Sequence, residues 1–285
     1  MKFFEPTTVD EAVRYLAADP DHRCLAGGAT LVAMMNAQLV EPAGLVSLAK
    51  VDGLKGIVRG GDGGLAIGAM TLHQTVADSP LFEGGHALVR DAARLIGHPA
   101  IRNMGTMGGS ISHADSAADY PAALVAADAT IEIAGPKGRR SVGAGDFFVD
   151  YLQTALEPGE LVTAIRLPPA PKGTASAYQK FARVEGDFAT VSAAVVLAMD
   201  GGKCKTIRIA VGACAPTPVR VAKAEAELVG GALDDRALAA ACKTLAEACD
   251  PVDDFRGSGE YRRMLVPVLV RRAVAAARKR LEAPR

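Results

Sequence analysis

No stretch constrains the fold of this chain more than Gly97–Pro121, GHPAIRNMGTMGGSISHADSAADYP. It is built from glycines, alanines and short polar residues and has no regular apolar repeat. Small side chains leave backbone N–H groups uncovered, so a ligand can approach closely. Successive exposed amides form an anion-binding concavity. Thr106, Ser110 and Ser112 add hydroxyls, and Asp115 and Asp119 are suited to accept hydrogen bonds from sugar hydroxyls. Apolar helical patterns precede the stretch (Leu81–Ile96) and follow it (Ala118–Ala127). This predicts a long functional loop held between rigid supports. Composition alone fits a Gly-rich surface loop equally well.

A second glycine segment lies upstream, Arg23–Val32, RCLAGGATLV. A short apolar strand runs into Gly27–Gly28, and Leu31, Met34, Met35 and Leu39 follow at helical spacing. Strand, glycine turn and helix start together make a phosphate-binding arrangement, with Thr30 as an added hydroxyl. An ordinary β–α turn needing positive φ gives the same pattern. The segment is neither G-x-G-x-x-G nor a Walker loop, since no Gly-Lys-Ser/Thr follows.

Around these segments the chain alternates strands and helices. Phe3–Phe4 predicts an opening strand, and Thr8-x-x-Glu11 a capping box before a helix carrying Val13, Leu16 and Ala17. Leu45–Leu48, Gly56–Val58 and Leu65–Ile67 read as short strands, and Thr71–Ala77 as a short helix. Thr130–Ala134 and Arg139–Val142 predict a hairpin, and Leu161–Leu167 a strand ending at LPPAPKG, the expected domain boundary. Beyond it, Ala175–Ala182, Val191–Met199 and Thr206–Val211 predict three antiparallel strands, and Val219–Val229, Asp234–Cys249 and Gly259–Leu281 three helices. The fold class is therefore α/β followed by a smaller α+β unit.

Several function classes are disfavoured. Lys+Arg and Asp+Glu are both 32, which argues against a broad nucleic-acid footprint. No apolar run is long enough to cross a bilayer, and no leader is evident, so a cytoplasmic protein is expected. Membrane contact is at most peripheral, through the basic Val270–Arg280 segment, which reads as a solvated helix face. The five cysteines (Cys24, Cys204, Cys214, Cys242, Cys249) are scattered and lack zinc or iron–sulfur spacing. His98, His113, Asp115 and Asp119 lack compact metal-ligand spacing, so no metal is expected in this chain. Ser112, His113 and Asp115 do not form a G-x-S-x-G elbow. Asp253, Asp254 and Glu260 with Arg256, Arg262 and Arg263 suggest a charge-paired surface, either within the chain or across an interface.

Taken together and in this order, AGGAT (Ala26–Thr30) and IRNMGTMGGSISHADSAAD (Ile101–Asp119) resemble the flavin-binding medium subunits of molybdenum hydroxylases, the xanthine dehydrogenase family. The aerobic carbon monoxide dehydrogenase type is the strongest match. GELVTAIRLP (Gly159–Pro168), YQKFARVEGDFA (Tyr178–Ala189) and DFRGSGEYRRML (Asp254–Leu265) extend the resemblance over nearly the whole chain. It implies a p-cresol methylhydroxylase-type FAD-binding domain of two α/β subdomains over 1–170. A C-terminal α+β domain with a three-stranded antiparallel sheet would occupy 171–285.

The resemblance also implies site roles. Leu25, Ala26, Gly27, Gly28, Ala29, Thr30, Leu31 and Val32 would hold the FAD diphosphate through backbone amides. Gly105, Thr106, Met107, Gly108, Gly109 and Ser110 would approach its other side. Asp119 would bind ribityl or adenosine hydroxyls, and Val162 would lie near the flavin by backbone contact. Lys180, or the adjacent Gln179, would reach the isoalloxazine. Met107 and Ala29 depart from the family's usual residues, leaving backbone contacts intact.

The implied function is that of an FAD electron-transfer subunit in a heterotrimer, assembled as a dimer of heterotrimers. A large subunit would hold the molybdopterin cofactor and a small one two iron–sulfur clusters. No catalytic acid or base is required of this chain. The alternatives are a self-contained FAD oxidoreductase of the same fold and a non-redox binding or assembly protein without flavin. The sequence does not select among carbon monoxide, purine, aldehyde and N-heteroaromatic substrates, nor among quinone, NAD and oxygen as acceptor.

Overall fold

In the computed structural model, which describes residues 1–282, the chain begins with a parallel three-stranded sheet. Strands β1 (Lys2–Phe4) and β2 (His22–Leu25) flank β3 (Gly44–Ser47). Helices α1 (Val9–Ala17) and α2 (Leu31–Asn36) make the crossovers. Thr8 Oγ1 caps α1 by accepting from the Glu11 N–H at 3.2 Å. The Glu11 carboxylate reaches back to the Thr7 N–H at 2.8 Å, one residue before the position a capping box uses. Ala12, Val13 and Leu16 then pack on Val46, Leu48 and Leu54.

A five-stranded antiparallel sheet follows. It is formed by β4 (Ile57–Arg59), β5 (Leu65–Gly68), β6 (Thr130–Gly135), β7 (Gly138–Gly143) and, after the small hairpin of β8 (Phe148–Asp150) and β9 (Gln153–Thr154), β10 (Leu161–Leu167). The strand order is β4-β5-β10-β6-β7. Between β5 and β6 run α3 (His73–Asp78), α4 (Ala87–Leu95), α5 (Pro99–Arg102), α6 (Met107–His113) and α7 (Asp119–Ala126). Helix α8 (Ala144–Phe147) lies between β7 and β8.

Two expectations change here. The helix expected over Leu81–Ile96 starts as α-helix only at Ala87, after a 3-10 turn whose Gly84 has φ +53°. The organising stretch is not a continuous loop, because it contains α5 and α6. Pro99 at the start of α5 presets a helical φ. Thr106 caps α6 by accepting from the Gly109 N–H at 3.1 Å. Gly108 lets α6 lie flat on the chain at Ala69, where a Cβ would come within 2.5 Å of the Ala69 methyl.

The C-terminal part is a four-stranded antiparallel sheet in chain order, β11 (Thr174–Phe181), β12 (Val191–Asp200), β13 (Lys203–Gly212) and β14 (Val219–Arg220). It is followed by α9 (Ala222–Leu228), α10 (Asp235–Ala248) and α11 (Gly259–Glu282). The fourth strand was not expected, since Val219–Val229 reads as helix. Val219 and Arg220 instead pair with Val211 and Ala210. One face of this sheet packs on α10 and α11 through Val195, Leu197, Leu245 and Leu269. The other face places Tyr178, Ala194, Val196 and Ala210 in the core that holds Leu88, Ala92 and Ala122. Burial on both faces explains why β12 is apolar without alternation.

Helix α7 is held at both ends by the C-terminal sheet. Arg208 Nε donates to Ala126 O at 2.8 Å, and Arg220 pairs with Asp128 just beyond the helix. At the other end Asp119 meets β11, as described below.

Two surface expectations are corrected. Arg262 is 4% exposed, so the cluster near α11 is not a charged surface there. Its guanidinium donates to Thr190 O (2.7 Å) and Ala213 O (2.9 Å) and pairs with Asp254, stitching α11 to the sheet. The basic face of α11 is not simply solvated either, because Arg271 bonds Asp235 and Arg280 bonds Asp91 and Ser176 O. No helix among the described residues is long and apolar enough to cross a membrane.

Candidate functional site

The two glycine segments meet across one cavity of about 880 Å3, in the range of small-molecule and cofactor sites. The β2–α2 turn forms one wall and the stretch from α5 to α7 the opposite wall, and β10 with the 156–160 turn also lines the cavity. The walls touch at Gly27, where a Cβ would sit 1.8 Å from Met104 O. Glycine at 27 is therefore a requirement of close backbone approach. Gly28, with φ +79°, meets the conformational requirement.

Most predicted residues line this cavity: Ala26, Gly27, Gly28, Ala29, Thr30 and Leu31 on one wall, and Gly105, Thr106, Gly108, Gly109, Ser110 and Asp119 opposite, with Val162 from β10. Leu25, Val32, Met107 and Lys180 do not. Leu25 belongs to β2, and Val32 is 43% exposed on the outer side of α2. The Met107 side chain is fully buried in the core against residues such as Ile111 and Tyr120. Lys180 stands behind Asp119.

The walls differ in what they offer. Among the described residues no group of the chain accepts from the N–H of Gly27, Gly28, Ala29, Thr30 or Leu31. Five consecutive amides are thus available at the cavity wall, a concavity suited to phosphate oxygens. The opposite wall spends its amides internally. Gly105 N–H donates to Ile101 O, Met107 N–H to Thr71 O, Gly108 N–H to Ala69 O, and Gly109 N–H to Thr106 Oγ1. Its glycines therefore supply a flat surface for close approach rather than a second row of donors. The expected anion-binding concavity of exposed amides in the 97–121 stretch is not met at Gly105, Met107, Gly108 and Gly109, whose N–H groups are bonded within the chain.

Asp119 is the first residue of α7 and 5% exposed. It accepts from Tyr178 Oη at 2.8 Å and from Lys180 Nζ at 3.0 Å, both on β11. Lys180 also donates to Leu95 O at the end of α4, 2.8 Å away. Burial pushes the Asp119 carboxyl up, while the Lys180 ammonium and the Tyr178 hydroxyl pull it back. The Tyr178 hydroxyl is pushed well up by burial, so it remains a donor. Asp115 turns inward on Ala117 N–H at 2.8 Å, and Ser112 and His113 line the same arm of the cavity, whereas His98 does not.

Other lining residues are not legible as site residues in sequence. His73 on α3 lines the cavity, and its Nδ1 lies 3.2 Å from Tyr120 Oη. Burial, with a smaller contribution from Arg102, lowers its pKa to about 4. His73 is therefore neutral at pH 7. The unfolded chain binds this proton below about pH 6.5 and the folded chain only near 4, so stability is expected to fall as pH drops through that window. The loss is about 3 kcal/mol. Unfolding free energies from urea titrations at pH 7 and pH 4 should differ by this much more in the wild type than in His73→Gln. Cys24 also lines the cavity, and burial pushes its thiol up to about 12, leaving it protonated. Pro20, Pro136 and Pro158 with Ala17 and Leu161 also line the cavity, an apolar slot suited to a planar base. Phe188 lines the cavity from the C-terminal part.

The cradle, the smooth wall, the carboxylate and the apolar slot fit a dinucleotide with a diphosphate at its centre. Comparison with known proteins agrees. Residues 1–170 match the family described as FAD binding domain in molybdopterin dehydrogenase, and residues 176–277 match the CO dehydrogenase flavoprotein C-terminal domain. The carbon monoxide dehydrogenase medium chain of Afipia carboxidovorans is 41% identical, over 98% of this chain and 96% of that one. The nicotine 6-hydroxylase medium subunit of Paenarthrobacter nicotinovorans is 34% identical over 97% of each. The solved carbon monoxide dehydrogenase from Hydrogenophaga pseudoflava, in a form lacking the Mo-pyranopterin moiety of its cofactor, superposes with a TM-score of 0.95 at 38% identity over 98% of each chain. With both halves of the chain matched in order, this protein belongs to the molybdenum hydroxylases, as an FAD-binding medium subunit of the carbon monoxide dehydrogenase type.

Proposed function

We propose that this chain receives electrons from iron–sulfur clusters of a small partner subunit and delivers them to an external acceptor, while a large molybdenum subunit oxidises the substrate. The observation that carries the reading is the run of five free amides, Gly27–Leu31, facing a glycine-smooth wall in a cavity of about 880 Å3. FAD, when bound, supplies the redox chemistry. The residues of the chain position and shield it. The amides of Gly27–Leu31 hold phosphate oxygens, Gly105, Gly108 and Gly109 allow close approach, and Asp119 accepts from polyol hydroxyls. Val162 offers its backbone, and Pro20, Pro136 and Pro158 cover the base. Lys180 acts on the flavin region through its pairing with Asp119. Residues 1–170 form the FAD domain and 171–285 the C-terminal domain. The complex works in the cytoplasm as a dimer of heterotrimers.

The test is the visible spectrum of the purified chain. It should show one bound flavin, reduced by substrate only when the molybdenum and iron–sulfur subunits are added. Reduction by substrate with the chain alone would instead identify a self-contained oxidoreductase. A chain that binds no flavin even with its partners would be a non-redox binding protein.

A further inference from the structure

His73 has one ring nitrogen that the chain does not use. The side chain is 5% exposed, at the start of α3, and it lines the cavity. Its backbone N–H donates to Gly105 O at 3.0 Å, which pins it to the glycine wall. Nδ1 faces Tyr120 Oη. Among the described residues nothing bonds Nε2, and that atom is not sealed inside the protein.

Tyr120 decides which nitrogen carries the hydrogen. It is fully buried, and among the described residues its hydroxyl has His73 as its one partner. Burial, and to a lesser degree the Asp119 carboxylate, pushes this hydroxyl far up, so it keeps its proton. A buried O–H without an acceptor is costly, so it donates to Nδ1. A neutral imidazole has one N–H, and with Nδ1 accepting, that one is Nε2–H. A Cβ on Gly105 would come within 2.6 Å of Nε2, so glycine there leaves this edge of the ring uncovered. Gly105 in turn meets the amide cradle, since a Cβ on Gly27 would lie 3.0 Å from Gly105 Cα. Gly27, Gly105 and His73 Nε2 therefore follow one another where the two walls meet.

We infer that His73 donates its Nε2–H to the diphosphate of bound FAD, from the side opposite the Gly27–Leu31 amides, and that Tyr120 is a positioning residue that fixes the imidazole tautomer. The inference rests on the reading above in which those amides hold the phosphate oxygens. It gives the smooth wall the donor that its backbone lacks. The N–H groups of Gly105, Met107, Gly108 and Gly109 are spent inside the chain, whereas Nε2–H is free. Gly105 then does more than allow close approach, because it is the window through which the imidazole reaches the ligand.

The experiment uses the full chain at pH 7 with two probes: FAD, and ADP, which carries a diphosphate without flavin. In the 15N-histidine-labelled wild type, NMR should show His73 as the Nε2–H tautomer, and its Nε2 resonance should shift on adding either probe. This arm needs no variant. In His73→Met the dissociation constants for FAD and ADP should rise by the same factor, about tenfold or more, as expected for a lost hydrogen bond to a charged group. His73→Gln restores an N–H donor and should recover most of that loss. Tyr120→Phe should weaken both probes about threefold in the wild-type background and not at all beside His73→Met, the pattern of a residue acting through His73. Urea titrations show that each variant is folded under the assay conditions. An Nδ1–H tautomer in the wild type would overturn the proposal, as would unchanged affinities in His73→Met. So would weakened FAD binding with ADP binding unchanged, because the hydrogen bond would then go to the flavin or the ribityl chain. A wild-type chain that binds ADP but no flavin would fail the functional reading instead.

Discussion

Asp119→Ala is expected to destabilise the chain by about 3–5 kcal/mol, the cost of leaving one member of a buried ion pair uncompensated. Both side chains are almost completely buried, 4% exposed for Lys180 and 6% for Asp119. The stranded ammonium keeps only Leu95 O as a partner. The two single deletions should not be equivalent. In Lys180→Met the Asp119 carboxyl, already pushed up by burial, can take a proton and keep its bond to Tyr178. A stranded Lys180 can likewise neutralise by losing its proton, but the neutral amine is left with Leu95 O as its one partner for several polar hydrogens and a lone pair. Asp119→Ala should therefore cost more than Lys180→Met. The double variant should be more stable than Asp119→Ala alone, since replacing both members removes the orphaned charge. Urea midpoints for the four proteins decide this. Flavin retention adds a second reading: Asp119 lines the cavity and Lys180 does not, so Lys180→Met should hold flavin better than Asp119→Ala.

Gly27→Ala is expected to weaken flavin binding by roughly 100-fold, or about 2.7 kcal/mol. A Cβ at this position would lie 1.8 Å from Met104 O and 2.7 Å from Met104 C. Both are backbone atoms, so no side chain can swing aside. The β2–α2 turn must move away from residues 104–105, and those two segments are the opposing walls of the cavity. The free amides of Gly27–Leu31 move with the turn and lose their aim. Gly28→Ala is the instructive comparison. Its cost is the positive φ, about 1–2 kcal/mol for a non-glycine residue, while its Cβ meets only side-chain atoms, of Val32 at 3.1 Å and Leu25 at 3.5 Å. Flavin dissociation constants should rank wild type tightest, then Gly28→Ala, then Gly27→Ala. Equal affinities for the two variants would show that the closeness of the walls does not govern binding.

Local signals in the chain account for much of the architecture. The β2–turn–α2 unit is written in an apolar run, two glycines and a helical spacing, and it folds as such. The β12–β13 hairpin follows from two ten-residue strands joined at Gly201–Gly202, both with positive φ. Asp234 caps α10 by accepting from the Ala237 N–H at 2.8 Å, as its position before an apolar helical run requires. Other elements have no local signature. Helix α5 has four residues, too few for a period, and α6 is weakened by its own glycines. Helix α6 forms because Thr106 caps it and because Gly108 packs on Ala69, a contact between segments far apart in the chain. Strand β14 is two residues long and exists only because β13 offers it an edge.

By itself the sequence determined where the backbone could come close to a ligand, since glycine at Gly27, Gly28, Gly105, Gly108 and Gly109 is visible without a fold. It also determined, through the order of its segments, the family to which the chain belongs. Only the tertiary structure decided which amides remain free. Those of Gly105, Met107 and Gly108 are consumed by the carbonyls of Ile101, Thr71 and Ala69, and those of Gly27–Leu31 are not. The reason is physical. A backbone N–H is committed or available according to what packs beside it, and that depends on residues distant in the chain. The same holds for charge: Lys180 is legible as a cation, but that it neutralises Asp119 was settled by the packing of β11 against the start of α7.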